Sequence, residues 1–143
     1  LVITRWWNTA IPYGAIVVKN QTAPFSDGWT LAQNNGSGIF PRYFEDEVGS
    51  FDLMGCDNAA TQGQLFLFAG IREGTVNKNY VNNTMTSVSA PDVSDLRNSG
   101  VMRIGSTPFN AYYADMELFA VYIFRKALTA AEIAAGVQYW NAA

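Results

Sequence analysis

The stretch FRKALTAAEI, residues 124–133, decides the fold, because a strand-like run ends in it and a helix begins. Apolar and aromatic residues dominate positions 115–124, which predicts the longest strand of the chain. Thr129 and Glu132 then form the pattern of a capping box. In this motif the Thr hydroxyl accepts a hydrogen bond from the third helical amide, and the Glu carboxylate accepts one from the amide of the cap residue. The sequence therefore predicts a strand that passes directly into a helix, with Glu132 as a cap rather than a catalytic acid.

The predicted helix depends on one apolar face. Ile133, Val137 and Trp140 recur at spacings of four and three residues, which places them on the same side. Leu128 precedes the cap and is positioned to pack against Ile133, as in a hydrophobic staple. We therefore expect a short C-terminal helix that docks on a sheet through this face.

Short segments of strand length recur between turn signals along the rest of the chain. They predict strands at 14–20, 29–33, 39–44, 50–55, 63–71, 78–83, 84–90, 101–105 and 115–124. Residues 63–71 are apolar on both faces, as in a strand covered on both sides. Pro41 favours an edge or bulged strand for its segment, and Asn82-Asn83 favours a tight turn because Asn tolerates positive φ. The pattern predicts an all-β, antiparallel β-sandwich with a short C-terminal α-helix. We expect one domain over residues 1–143, taken from a longer chain.

Composition excludes several functional classes. Of the 143 residues 49% are hydrophobic and 15% are charged, which predicts a packed core, and the net charge is −3 with scattered cations. Such a surface suits neither nucleic acid nor an anionic membrane, and no apolar run approaches the roughly 18 residues of a membrane span. The chain has no histidine and one cysteine, Cys56. Ser-His-Asp and Cys-His catalysis are thereby excluded within the chain, as are the usual Cys/His zinc sites.

Three segments resemble the laminin-G-like jelly roll of the concanavalin A-like lectin/glucanase group. LFLFAGIREGTVNKNYVNN (65–83) is similar to a strand pair ending in Tyr-Val-Asn-Gly, VMRIGS (101–106) to a Leu-x-Ile-Gly strand, and LFAVYIFRKALTAAEI (118–133) to the last strand and helix. They follow the order of the family and span about half the chain. The resemblance implies a jelly-roll topology. It also implies strands before Leu1, so that missing strands would come from upstream sequence or from another chain.

The glucanase branch of this group places two Glu and one Asp along one strand, where they converge on a sugar bond. Here Glu45, Asp46 and Glu47 are adjacent, and we expect them in a solvated loop. Asp115 and Glu117 share a strand face without a third carboxylate at the required spacing. We therefore expect no enzyme activity and keep a glycoside hydrolase as a remote alternative.

Calcium binding is a further implication of the resemblance, since many relatives hold Ca²⁺ at the rim of the sandwich. Asp57, Asp92 and Asp95 lie in predicted loops with neighbouring Asn residues and carbonyls. The sequence lacks a dense Asp-x-Asp-x-Asp pattern. We therefore expect no cofactor, and these three residues remain candidates for a weak calcium site.

Aromatic residues in or beside loops suit glycan recognition, because sugar rings stack on aromatic faces and polar side chains bind the hydroxyl groups. The first candidate cluster is Tyr112 and Tyr113, flanked by Asn110 and Asp115. The second is the pair formed by Trp6 and Trp7, which suits docking of a neighbouring chain equally well.

The first hypothesis for function is a non-catalytic, lectin-like recognition module that binds a glycan or a protein partner on a larger assembly. The alternative is a structural surface protein of a virion, a capsid decoration or tail component, which works through protein–protein contacts. Both hypotheses imply an oligomer or part of a larger assembly, and an extracellular or virion-surface location. Neither implies nucleic acid or membrane insertion.

Overall fold

The structure, a computed structural model, describes residues 1–6, 15–19, 28–34, 40–47, 50–54, 63–88, 100–106, 113 and 115–142. Within these residues the chain forms ten β-strands followed by one α-helix. The strands are β1 (Val2–Trp6), β2 (Ala15–Lys19), β3 (Gly28–Asn34), β4 (Phe40–Glu47), β5 (Ser50–Met54), β6 (Leu65–Glu73), β7 (Val76–Val81), β8 (Thr84–Val88), β9 (Met102–Ile104) and β10 (Met116–Val121). The helix is α1 (Ala130–Asn141).

The strands build two five-stranded sheets. The strand order is β10-β1-β6-β7-β8 in the first sheet and β5-β4-β3-β2-β9 in the second, and every registered pair is antiparallel. This arrangement confirms the prediction of an antiparallel, mostly β protein with a short C-terminal helix. The helix has 12 residues, and none of the helical residues in the described ranges forms a segment long and apolar enough to cross a bilayer.

One buried cluster draws side chains from both sheets. Its members in the second sheet are Ile16, Val17 and Leu31, and its members in the first sheet are Phe66, Phe68 and Val81. Because side chains alternate along a strand, the even-numbered residues Phe66 and Phe68 of β6 face this cluster while their neighbours face away.

The opposite face of β6 carries a second buried cluster, which the helix closes. Leu67, Ala69 and Ile71 pack there with Ile3, Tyr80 and Ile133 of α1. The strand is therefore covered on both faces, as its uninterrupted apolar sequence predicts. Val137, Trp140 and Leu128 pack against the same cluster, which confirms the predicted docking face of the helix.

The capping box at the start of α1 is present as predicted. The Thr129 hydroxyl accepts a hydrogen bond from the amide of Glu132 at 3.2 Å, and the Glu132 carboxylate accepts one from the amide of Thr129 at 2.8 Å. The box satisfies two backbone donors that the first turn of a helix leaves without intrahelical partners.

The first sheet contains one strand, β1, that the sequence pattern does not predict. β1 runs between β10 and β6, and Ile3 is opposite both Ala120 and Leu67. The segment contains Thr4, a polar residue that is fully buried. Its hydroxyl donates a hydrogen bond to the carbonyl oxygen of Glu117 at 2.9 Å, which satisfies the polar group in the core. The local sequence pattern does not predict β1 as a strand, because its central position in the sheet depends on pairing with segments that are distant in the sequence.

Two predictions around β4 were wrong. The predicted loop at Glu45, Asp46 and Glu47 is part of β4. Glu45 and Asp46 pair with both β3 and β5, and Glu47 pairs with β5 alone. Pro41 does not mark a sheet-edge strand either, since β4 lies between β3 and β5. The registered pairing with β5 begins at Tyr43, so Pro41 lies where β4 has a registered partner only in β3, and a missing N–H is tolerated there.

The turn between β7 and β8 is centred on Asn82 and Asn83, as predicted. Asn82 adopts φ 55°, and its side-chain oxygen accepts a hydrogen bond from the amide of Leu67 at 3.1 Å. The Asn side chain thus tolerates the left-handed backbone and ties the turn to β6.

The strand predicted at 115–124 ends early, and this difference shapes the surface beside the helix. Tyr122 exchanges two backbone hydrogen bonds with Leu1, at 2.8 and 2.9 Å. Beyond this pair the segment from Ile123 to Leu128 leaves the sheet and leads into α1.

Candidate functional site

Three of the six residues predicted as a binding site lie in the described part of the chain, and they are Trp6, Tyr113 and Asp115. Tyr113 is 57% exposed and Asp115 is also exposed. Trp6 is opposite Met116 in the register of β1 with β10, so the end of β1 lies beside the start of β10. Trp6 of one predicted group and Asp115 of the other therefore lie at the same end of the first sheet. Tyr112, Asn110 and Trp7 lie outside the described residues.

Among the carboxylates considered for catalysis, Glu117 has a structural partner. Glu117 of β10 pairs with Arg5 of β1 at 3.1 Å, and the Arg5 guanidinium lies 5.7 Å from the ring centre of Phe119. Phe119 is the extra residue where the register of β1 with β10 shifts. This ion pair ties two neighbouring strands together. Asp57, Asp92 and Asp95, the calcium candidates, lie outside the described residues together with Cys56, so the calcium site stays a prediction.

A second aromatic region lies at the other end of β10, and sequence reasoning did not identify it. We call it the aromatic groove, formed by Tyr122, Phe124, Tyr139 and Trp140. The rings of Tyr122 and Phe124 are stacked, with centres 6.4 Å apart and an interplanar angle of 28°; those of Tyr139 and Trp140 meet edge to face at 5.9 Å and 86°. Tyr139 is 70% exposed. The four side chains line one cavity of about 430 Å³ between the β10–α1 connection and the helix.

An ion pair lies in the wall of the aromatic groove. The Lys126 ammonium donates to the Glu132 carboxylate, and both residues line the cavity. Lys126 first, then the amide and the hydroxyl of Thr129, lower the pKa of Glu132 from 4.5 to about 2. The carboxylate is therefore ionised throughout the physiological range, and it supplies acceptor oxygens beside the aromatic rings.

A further cavity, of about 300 Å³, opens between the two sheets on the other side of the β10–α1 connection. We call it the inter-sheet cavity. Its lining includes Val17, Trp29 and Leu31 of the second sheet and Ala69 to Arg72 of β6. Leu1, Tyr122, Phe124, Lys126 and Leu128 line both cavities, so one short segment separates the groove from the inter-sheet space.

The missed groove had a weak signal in the sequence. Trp140 belongs to the apolar stripe of α1, whereas Tyr139 lies one position off it, where a polar residue is expected on a solvent-facing helix surface. A single exposed aromatic residue is common on protein surfaces, and it indicates a binding surface only together with neighbouring exposed aromatic residues. The sequence predicts Tyr122 and Phe124 as the end of the strand at 115–124, and the structure places both side chains on the surface, where they line the cavity beside the helix.

Comparisons with known proteins do not identify the chain. No protein-family model matches it, and no curated protein matches it significantly.

Proposed function

We propose that this chain is a non-catalytic recognition module that binds a glycan in the aromatic groove. The observation that carries the proposal is the convergence of two aromatic pairs, Tyr122 with Phe124 and Tyr139 with Trp140, on one cavity of about 430 Å³. The cavity volume falls within the range of about 300–1,000 Å³ typical of small-molecule sites.

The chemistry of the groove suits a sugar. The apolar face of a sugar ring stacks on an aromatic ring, while its hydroxyl groups need hydrogen-bond partners at the edge of the stack. Lys126 supplies donors and Glu132 supplies acceptors in the same wall. Since Lys126 and Glu132 already bind each other, a hydroxyl group adds to an existing charged pair and leaves neither charge isolated.

We further propose that the two sheets pack as a laminin-G-like, concanavalin A-like jelly roll that forms one domain. The shared cluster of Ile16, Leu31 and Phe68 between the sheets and the helix over the outer face of β6 support this topology. The lectin-like function draws on the same analogy, although fold analogy alone leaves the ligand open.

One observation favours the second candidate, a structural surface protein of a virion that works through protein–protein contacts. Among the described strands, β9 lies at the edge of the second sheet, and its segment exposes Val101 at 72% together with Met102 and Ile104. Exposed apolar residues at an open sheet edge suit pairing with another chain. Assembly into an oligomer and an extracellular or virion-surface location remain predictions under either candidate.

A glycan array followed by calorimetric titration of the strongest binder tests the first candidate. We expect Tyr139→Ala to weaken binding by about tenfold, because one stacked ring is lost. Tyr113→Ala is the matched control, since Tyr113 is also exposed and lies at the opposite end of β10. Its affinity should equal that of the wild type.

The same experiment separates the alternatives. Lost binding in Tyr113→Ala with unchanged binding in Tyr139→Ala would keep the lectin function and move the site to the start of β10. An array without any signal, together with a stable oligomer in sizing experiments, would instead select the structural protein.

A further inference from the structure

We propose that the inter-sheet cavity is a second binding site, for a small amphipathic monocarboxylate. The apolar body of the ligand lies between the sheets, and its carboxylate lies at Arg72 and Arg125. This inference does not depend on glycan binding in the aromatic groove, because it concerns a different cavity and a different ligand class.

The interior of the cavity is apolar. Val17 and Leu31 contribute buried side chains of the cluster shared by the two sheets, and Trp29 and Val121 are partly buried beside them. An apolar cavity of about 150 Å³ in another protein stays dry and accepts benzene. A cavity of about 300 Å³ therefore has room for a body of two fused aromatic rings or for part of an acyl chain.

The charged part of the lining has a single sign. Among the described residues, its ionisable side chains are Arg72, Arg125 and Lys126, and no acidic residue joins them. The chain as a whole carries 12 acidic and 9 basic residues, so three cations around one cavity depart from its overall balance. Arg125 and Lys126 are exposed while Val17 and Leu31 are buried, which places these charges at the opening.

Two of the cations belong to this cavity and not to the groove. Lys126 also lines the groove and donates to Glu132 there. Arg72 lies at the end of β6, where its Nε donates to the carbonyl oxygen of Gly74 at 3.1 Å, and Arg125 lies in the β10–α1 connection. A guanidinium presents paired donors that match the two oxygens of a carboxylate. An apolar interior with this opening selects an apolar molecule that ends in an anion.

Calorimetric titration of the whole chain with naphthoate and with decanoate tests the proposal, because the first ligand has an aryl body and the second an acyl body. Naphthylmethanol and decanol are the neutral counterparts. We expect at least one carboxylate to bind about tenfold more tightly than its alcohol, since the alcohol lacks the charge-assisted hydrogen bonds. Tighter binding of the aryl or of the acyl compound then identifies the source of the ligand.

Variants separate this site from the groove and from general electrostatics. Arg125→Gln should weaken carboxylate binding by about tenfold and leave alcohol binding unchanged. Arg103→Gln in β9 removes the same charge outside the lining of both cavities, so it should have little effect. Tyr139→Ala, which alters only the groove, should leave naphthoate binding intact.

Three results would overturn the proposal: binding of neither carboxylate, equal affinity for a carboxylate and its alcohol, or equal effects of Arg125→Gln and Arg103→Gln. Loss of naphthoate binding in Tyr139→Ala would also overturn it, by moving the ligand into the groove. Each of these results leaves the glycan test unaffected.

Discussion

The two ends of β10 carry similar residues in different surroundings. At its start, Tyr113 and Asp115 are exposed beside the end of β1. At its other end, Tyr122 and Phe124 face α1 across a cavity. A six-residue strand is about 20 Å long, so the two regions are separate surfaces. The difference teaches that exposed aromatic residues become a concave site where a second layer, here the helix, faces them.

The largest effect is expected at the helix end of β10, from a substitution of Ile133, the residue that anchors α1 to the sheet. Ile133 is fully buried against the first sheet, and Ile133→Ala should lower the free energy of unfolding by about 2–5 kcal/mol. Urea denaturation measures this loss. Val88→Ala, at an exposed apolar position, is the control and should change the unfolding free energy by less than about 0.5 kcal/mol.

The same variant tests which end binds a ligand. If Ile133→Ala stays folded under assay conditions, its affinity for a glycan bound in the groove should fall, because the helix that lines the groove is docked less firmly. An unchanged glycan affinity in a destabilised variant would contradict the groove and favour the start of β10.

Loss of the helix cap should have a smaller effect, confined to stability. Thr129→Ala removes the acceptor of the Glu132 amide and should lower the free energy of unfolding by about 1 kcal/mol. Thr129 does not line the groove, so the glycan affinity of the variant, measured where it is fully folded, should equal that of the wild type. Thr129→Ser keeps the hydroxyl and should restore most of the stability. A Thr129→Ala variant of native stability with lost binding would reverse the two roles.

The smallest effect is expected from pH, and it belongs to the helix end alone. The folded-state pKa of Glu132 is lowered to about 2 from 4.5, by Lys126 first and then by Thr129. A lowered pKa means that the carboxylate stabilises the folded state above pH 4.5, and that this contribution is lost as the pH falls from 4.5 toward 2. The contribution is modest because the group is solvent-exposed.

A comparison of unfolding curves checks the sign. The wild type should exceed Glu132→Gln in stability near neutral pH, and the difference should shrink as the pH falls through this window. A difference that grows on acidification would show that Glu132 is not held ionised by its partners.

Much of the fold follows from local pattern, and the candidate site does not. The capping box of Thr129 and the turn at Asn82 are local motifs, since the hydrogen bonds of the box join residues three positions apart and the turn depends on the positive φ that Asn tolerates, so the sequence predicts them correctly. The prediction of an edge strand from Pro41 was wrong because a proline is tolerated in a central strand where one neighbouring strand does not extend, and the sequence does not show how far β5 extends along β4. β1 was missed because its pairing with β10 joins residues more than 100 positions apart, and periodicity over five residues carries no information about such a partner.

The sequence by itself determined the class of this protein: alternating apolar segments, turn residues and one capped amphipathic helix specify antiparallel sheets with a helix at the end. The tertiary structure alone decided where a ligand could bind. Tyr122 and Phe124 belong to an apolar run that the sequence assigns to a strand, and they line a cavity because α1 packs on the same side of the first sheet. Concave sites arise from the meeting of distant segments, whereas strands and caps arise from neighbours along the chain.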